Sequence, residues 1–430
     1  GTRNPNALVW KMVNGVMQQI NVVLPSSSLA SQASGPALSG NEMSCDNRTF
    51  VDLGVKLLDQ PILDGQTIAT TDSVLGTYSA ASARPKYRDL VSKAFNPQYW
   101  MWPTVDFSDV NARKVASMDL KAKPFKRKFK NSNDQMQANF SLFFALAIQA
   151  YEQTLISDDS RFDQWAAGDT TKLTDSEKRG FDLFQNKALC QACHTGAEFT
   201  AASFRNVTEI RLERMDMRDG RTMTYDSGFY NIGVRPTYED LGIGARDPFG
   251  KPLSESMFMT EAADKDAAGL LLGNGFNGWQ YMIPEYTNRV NVQGAFKTPG
   301  LRNVELTGPY FHNGGKATLM QVVDHYNRGG DFGRDNVFNL APAITPLALT
   351  EPEKVDLVSF LLSLTDDRVK MERAPFDHPS ICIPNGHVLP AAPGSAPGNA
   401  TDDTMCLDAV GSEGRTSPLT PFLDLSPYQH

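Results

Sequence analysis

The chain has no hydrophobic run approaching the roughly 20 residues that span a bilayer. The nearest candidate, Phe140 to Ala150, is too short. Positive charge is not in excess. Lys and Arg number 41 against 49 Asp and Glu, for a formal charge of −8 at pH 7. A net acidic chain has no general electrostatic claim on nucleic acid or an anionic membrane. No internal repeat recurs at a fixed period, and no signal peptide is visible. The chain opens on Gly1 rather than Met, which reads as a processed or truncated product. Cysteine and histidine are scarce, at five and six residues in 430. What is present is an ordinary globular balance of 41 % hydrophobic and 21 % charged residues. Such a chain buries a core, and its length suggests two or three domains.

Three of the scarce residues fall together in Cys190-Gln191-Ala192-Cys193-His194. A chance match to C-x-x-C-H has a probability on the order of one in a thousand for such a composition. The physical reading is covalent haem c. Two thioethers hold the porphyrin, and the adjacent His gives iron an axial nitrogen. The competing readings are a redox dithiol or half a zinc site, but no second cysteine pair completes the latter. Haem of this kind is attached outside the cytoplasm, so a periplasmic location is expected. Cys382 and Cys406 sit in a Pro/Gly-rich tail, where a disulfide is the natural staple.

Apolar spacing predicts a helix over Asn133–Ser157, with Phe140, Phe143, Phe144, Ala147, Ile148, Tyr151 and Leu155 on one face. A polar break from Ser157 to Thr171 reads as a linker. Thr174 and Glu177 form a capping box for a short helix, carrying Phe181 and Phe184, that runs into the haem motif. A second box, Thr350 and Glu353, starts a helix with Val355, Val358, Leu361 and Leu362 as its stripe, ending near Leu364. Between them, Thr200 to Asn291 reads as loops and short strands, and Ala391 to Asp403 as low-complexity chain. Lys121 to Lys130 holds six basic residues in ten. It reads as a solvated loop, or as a docking patch for an acidic electron-transfer partner.

The runs Thr298-Pro-Gly-Leu-Arg-Asn-Val304, Thr307-Gly-Pro-Tyr-Phe-His-Asn-Gly314 and His325-Tyr-Asn-Arg-Gly-Gly330 are specific. With Phe229–Pro236 and Asp247–Gly250, they resemble the bacterial dihaem cytochrome c peroxidase superfamily, in its MauG-like branch. The resemblance implies a mainly α fold of two cytochrome-c-like helical haem domains, with long loops and few short strands, the N-terminal domain being incomplete. The expected division is 1–157 for the remainder of the peroxidatic domain, 158–171 for a linker, 172–370 for the C-terminal haem domain and 371–430 for an extension. By order along the chain, the one C-x-x-C-H matches the family's second, electron-transfer haem, with His194 as proximal ligand. The family's distal ligand lies fourteen residues after the His of the Tyr-Phe-His motif, which here leads from His312 to Tyr326. A Tyr oxygen is a hard ligand that favours oxidised iron and lowers the potential, whereas Met sulfur favours ferrous iron. Two alternatives stay open: Tyr326 as a core aromatic, with His325 or Met320 as ligand.

The resemblance also implies a distal peroxide pocket in Gln32, Pro36 and Glu42, above a first haem. A carboxylate there can move a proton between peroxide oxygens, and an amide can orient them. No haem motif precedes residue 190, so the first haem is expected from an upstream segment, from an N-terminal fragment of the same precursor kept as a second chain, or not at all. Cys45 could pair with that segment, remain a free thiol near the pocket, or pack as a small hydrophobe. Calcium is implied at the backbone carbonyls of Thr307 and Pro309. The resemblance also implies that His312 and Arg302 lie near the haem and bond a propionate.

The expected function is therefore a dihaem peroxidase-like oxidoreductase acting on hydrogen peroxide, with the electron donor or protein substrate unspecified and a homodimer possible. A single-haem electron carrier and a rubber-cleaving type of haem oxygenase are the alternatives.

Overall fold

Residues 8–22, 24, 27–40, 42–44, 48–103, 105–106, 132–247, 250–261, 290–388 and 401–430 are described by the structure, a computed structural model. Cys45 and the basic stretch Lys121–Lys130 lie outside these residues. The chain divides into two units, Gly1–Ile156 with Glu372–Thr416, and Ser157–Met371 with Ser417–His430. The tail, expected as one extension, is thus divided between them. Among the described residues, helices dominate and the strands form two-stranded sheets. Among the described residues, no helix is long and apolar enough to cross a membrane.

In the first unit, the hairpin β1 (Leu8–Val13) and β2 (Val16–Asn21) precedes helices α1 (Ser28–Ser34), α2 (Phe50–Leu57) and α3 (Tyr87–Ala94). The helix expected over Asn133–Ser157 is two helices, α4 (Gln135–Ala138) and α5 (Phe140–Glu152). Asn139 makes the break. Its side chain accepts from the Trp10 N–H at 2.8 Å and donates to the Trp10 and Tyr99 carbonyls at 2.7 Å each. Tertiary hydrogen bonds thus override the local helical pattern. Only Phe140 and Phe143 of the expected apolar face are fully buried, around Leu58 and Met136, while Ala147 and Tyr151 are exposed. In the tail, strands Ile381–Val388 and Thr401–Leu407 pair antiparallel, with the Cys382–Cys406 disulfide between facing residues.

In the second unit, the segment expected as a linker contains helix α6 (Arg161–Ala166). Ser160 and Asp163 cap it reciprocally, and Phe162 meets Phe181, Phe199 and Phe360 edge-on. Phe162 and Trp165 are the only large apolar residues of this polar stretch, too few to show a period, so packing reveals this helix. Helix α7 (Asp175–Gln185) starts at the expected box, where Glu177 accepts from the Thr174 N–H at 2.8 Å. Its partner is the helix Glu351–Leu362, where Glu353 accepts from the Thr350 N–H at 2.8 Å. Gly180 lets these two helices touch, since a Cβ there would sit 2.0 Å from the Asp356 carbonyl oxygen. On the later helix Leu357, Val358, Phe360 and Leu361 face the core, whereas the expected Val355 is exposed. Between the two helices run α8 (Phe204–Glu209), the hairpin of β3 (Leu212–Asp216) and β4 (Thr222–Asp226), and α9 (Glu255–Glu261).

Candidate haem site

The C-x-x-C-H segment follows α7 as a tight turn, Cys190–Ala192, entered through Leu189 in the left-handed region at φ 55°. The His194 N–H returns to the Cys190 carbonyl at 2.9 Å, which fixes the histidine relative to both thiols. Opposite, helix α10 (Leu319–Asn327) is capped by Thr318 and carries Tyr326 in its last turn. Cys190, Cys193, His194 and Tyr326 all line one cavity of about 450 Å³. Its remaining wall is largely apolar, with Phe184, Tyr230, Phe296, Leu357 and Leu361 among the contributors.

The donor set fits covalent haem c. Nδ1 of His194 lies 3.0 Å from the Phe199 carbonyl. A carbonyl only accepts, so Nδ1 carries the proton and Nε2 keeps its lone pair for a metal. Burial lowers the His194 pKa, so the ring is neutral, as a ligand must be. The two cysteines are free, not disulfide-bonded. Burial pushes each thiol up to about 12, so neither is a thiolate at neutral pH, which disfavours a redox dithiol. Among the described residues, no group of three His, Cys, Asp or Glu side chains could hold a metal ion, so the half-zinc reading gains no partner.

Of the three residues considered as the second axial ligand, only Tyr326 lines the cavity. His325 is fully buried, with Nε2 donating to the Ile232 carbonyl at 3.0 Å and Nδ1 3.4 Å from the Asp331 carboxylate. Met320 sits in the core at 1 % exposure. Burial raises the Tyr326 phenol pKa, so it is neutral when no cation is present.

His312, Thr307 and Pro309 also line the cavity. His312 bonds to Asp240 at 2.6 Å and stacks on Phe296 at 3.5 Å, which holds its ring flat. Arg302 is placed differently from expectation. Its guanidinium is a fork onto Asp163 at 2.7 and 2.8 Å, and its Nε donates to the Ala197 carbonyl, so it ties α6 to the haem-motif loop and does not line the cavity. Gln32, Pro36 and Glu42 belong to the first unit. Gln32 is exposed on α1, Pro36 opens a short turn, and Glu42 is exposed in a turn closed by its N–H onto the Ser39 carbonyl. The Phe199 carbonyl and Asp240 escaped sequence reasoning. The first is a backbone atom with no residue signature, and the second lies 72 positions from its partner.

No protein-family model matches the chain. It is 35 % identical over 224 residues to a cytochrome-c peroxidase of Denitromonas iodatirespirans, covering 51 % of this chain and 49 % of that protein. It is 29 % identical to the methylamine utilization protein MauG of Methylorubrum extorquens, covering 51 % and 42 %. The chain thus spans about half the length of the curated relatives it matches. Among solved structures, a MauG-like protein associated with microbial copper homeostasis aligns at 26 % identity and a TM-score of 0.36, covering 56 % of this chain and 57 % of that one.

Proposed function

We propose that this chain, a relative of the bacterial dihaem cytochrome c peroxidases and MauG, forms part of a periplasmic peroxidase-like oxidoreductase acting on hydrogen peroxide. The observation that carries the reading is the convergence of Cys190, Cys193, His194 and Tyr326 on one apolar cavity. The two Sγ atoms would hold haem c by thioethers, and His194 Nε2 and Tyr326 Oη would be the donors to its iron. That haem, when bound, supplies one-electron chemistry and a place to hold oxidising equivalents. The protein orients the His194 ring through Phe199, and its apolar wall excludes water. The bond from His312 to Asp240 fixes the imidazole at the cavity wall.

Peroxide chemistry belongs, in this reading, to Gln32 and Glu42 facing a second haem that the present residues do not supply. The Glu42 carboxylate takes a proton from one peroxide oxygen and returns it to the other, while the Gln32 amide orients the pair. Their exposure, and the apolar surface of Leu29 and Met43 beside them, suit a face that meets another haem-bearing segment. Calcium would bind through the Thr307 and Pro309 carbonyls. The Cys382–Cys406 disulfide supports an oxidising compartment.

Intact mass and haem count on purified protein, native and denatured, test this. Two haems per assembly, with a ferric spectrum that responds to peroxide, are expected. One haem and no peroxide response would overturn the reading in favour of a single-haem electron carrier.

A further inference from the structure

The hairpin of β3 and β4 stands beside the haem cavity and carries chemistry that the proposed function does not use. In its register Glu213 faces Tyr225 directly. Directly opposed residues of an antiparallel pair project to the same side of the sheet. The Tyr225 hydroxyl accordingly donates to the Glu213 carboxylate. Tyr225 is 6 % exposed and Tyr230 9 %, and their ring centroids lie 5.5 Å apart. Tyr230 in turn lines the haem cavity, and Cys193 and Tyr326 pack against the same cluster. Glu213 is only half-buried, so it reaches solvent. The result is a continuous path from cavity wall to Tyr230, to Tyr225, to a carboxylate at the surface.

A neutral phenol gives up an electron readily only if its proton leaves at the same time. Burial first, and then the neighbouring groups, raise the Tyr225 pKa, so it is a protonated donor at any working pH. Its hydroxyl is already aimed at a carboxylate, which is an acceptor only. A structural reading would need no carboxylate there, because a buried tyrosine is satisfied by any backbone carbonyl.

We propose that Tyr225 is a redox-active tyrosine, with Tyr230 as the electron bridge to the haem cavity and Glu213 as the proton acceptor. Tyr225 passes one electron through Tyr230 to the peroxide-oxidised haem c, and its Oη proton moves to a Glu213 carboxylate oxygen. The products are a neutral tyrosyl radical, a protonated Glu213 and a haem centre reduced by one electron. A one-electron donor at the surface then restores the phenol, and the proton returns from Glu213. The site thus lets an oxidising equivalent leave the cavity toward a reductant that never enters it.

The inference rests on the proposed oxidising role of the haem, so the test has two arms on the assembled protein with both haems loaded. In the first, peroxide is mixed with ferric protein, and samples are freeze-quenched for electron paramagnetic resonance while absorbance follows the haem. In the second, a photogenerated ruthenium(III) polypyridyl oxidant replaces peroxide. A tyrosyl signal is expected, identified by its collapse on ring deuteration of tyrosine. Tyr225→Phe should lower its yield at least five-fold. Tyr230→Phe should slow its appearance, and Glu213→Gln should lower both rate and yield. A haem unresponsive to peroxide would sink the functional reading alone, and the photochemical arm would still decide the tyrosine. Wild-type radical yield in Tyr225→Phe, or no tyrosyl signal in the photochemical arm, would overturn the proposal. Should Tyr225→Phe fail to fold, Glu213→Gln with an unchanged Soret band carries the same decision.

Discussion

The imidazole of His194 is locked by the backbone of Phe199, with Nδ1 3.0 Å from its carbonyl oxygen. Phe199 itself sits at φ 52°, a left-handed conformation uncommon for a bulky residue, and its ring is buried among Phe162, Phe184 and Phe360. Aromatic packing therefore holds the strained residue whose carbonyl aims the histidine.

This arrangement predicts how haem attachment fails. Cys190→Ala with Cys193→Ala should remove the covalently bound haem entirely, and either single change should leave one thioether. Mass spectrometry of denatured protein reads the outcome. A haem still attached in the double variant would refute the assignment of these sulfurs.

Tyr326→Met should raise the reduction potential of the attached haem, by up to tenths of a volt, on the order of the range axial ligands command. Spectroelectrochemistry gives the shift. An unchanged potential and spectrum would return Tyr326 to the status of a wall residue.

Glu42→Gln should slow the reaction with peroxide by about 10²–10⁴-fold, the usual worth of a positioned base. Stopped-flow absorbance on the assembled protein measures it, with the haem count unchanged as the control. A wild-type rate would remove Glu42 from the chemistry.

Gly180→Ala should destabilise the second unit by about 1–3 kcal/mol or more, as overpacking does. The added methyl meets the Asp356 carbonyl at 2.0 Å, so α7 and the helix Glu351–Leu362 must part. Denaturant unfolding of the haem-loaded chain reports the loss. An unaltered midpoint would mean the contact yields freely.

Asp366 supplies the pH dependence. Burial alone would raise its carboxyl, but hydrogen bonds from Arg368 and the Asp159 N–H prevail and hold its pKa below the ordinary value. A depressed folded pKa adds stability that is present above the unfolded value of about 3.9 and is lost as pH falls through the folded one. Asp366→Asn should therefore cost about 2 kcal/mol near pH 7, the scale of hydrogen bonds to a charged group. The gap to wild type should close in acid, once the folded-state carboxylate is protonated. Paired unfolding curves at neutral pH and in acid check it, and a gap that persists in acid contradicts the account.

The sequence by itself determined what depends on neighbours along the chain. The haem motif is five consecutive residues, and both boxes at Thr174 and Thr350 are bonds between residues three apart. Cys382 and Cys406 were legible as a staple because little else could hold a Pro/Gly-rich tail. Tyr326 was reached through family spacing, and the fold then set it in the cavity wall with His325 turned away.

Tertiary structure decided everything that depends on partners far apart in sequence. Arg302 finds Asp163 across 139 positions, Asn139 ends a helix by bonding Trp10, and Phe162 turns an apparent linker into a helix docked on the core. The Phe199 carbonyl that orients His194 and the pairing of Glu213 with Tyr225 are of the same kind. Residue identity encodes local bonding and hydrophobic period. A backbone carbonyl has no identity to read, and a long-range pair exists only once the chain has closed the loop between its members.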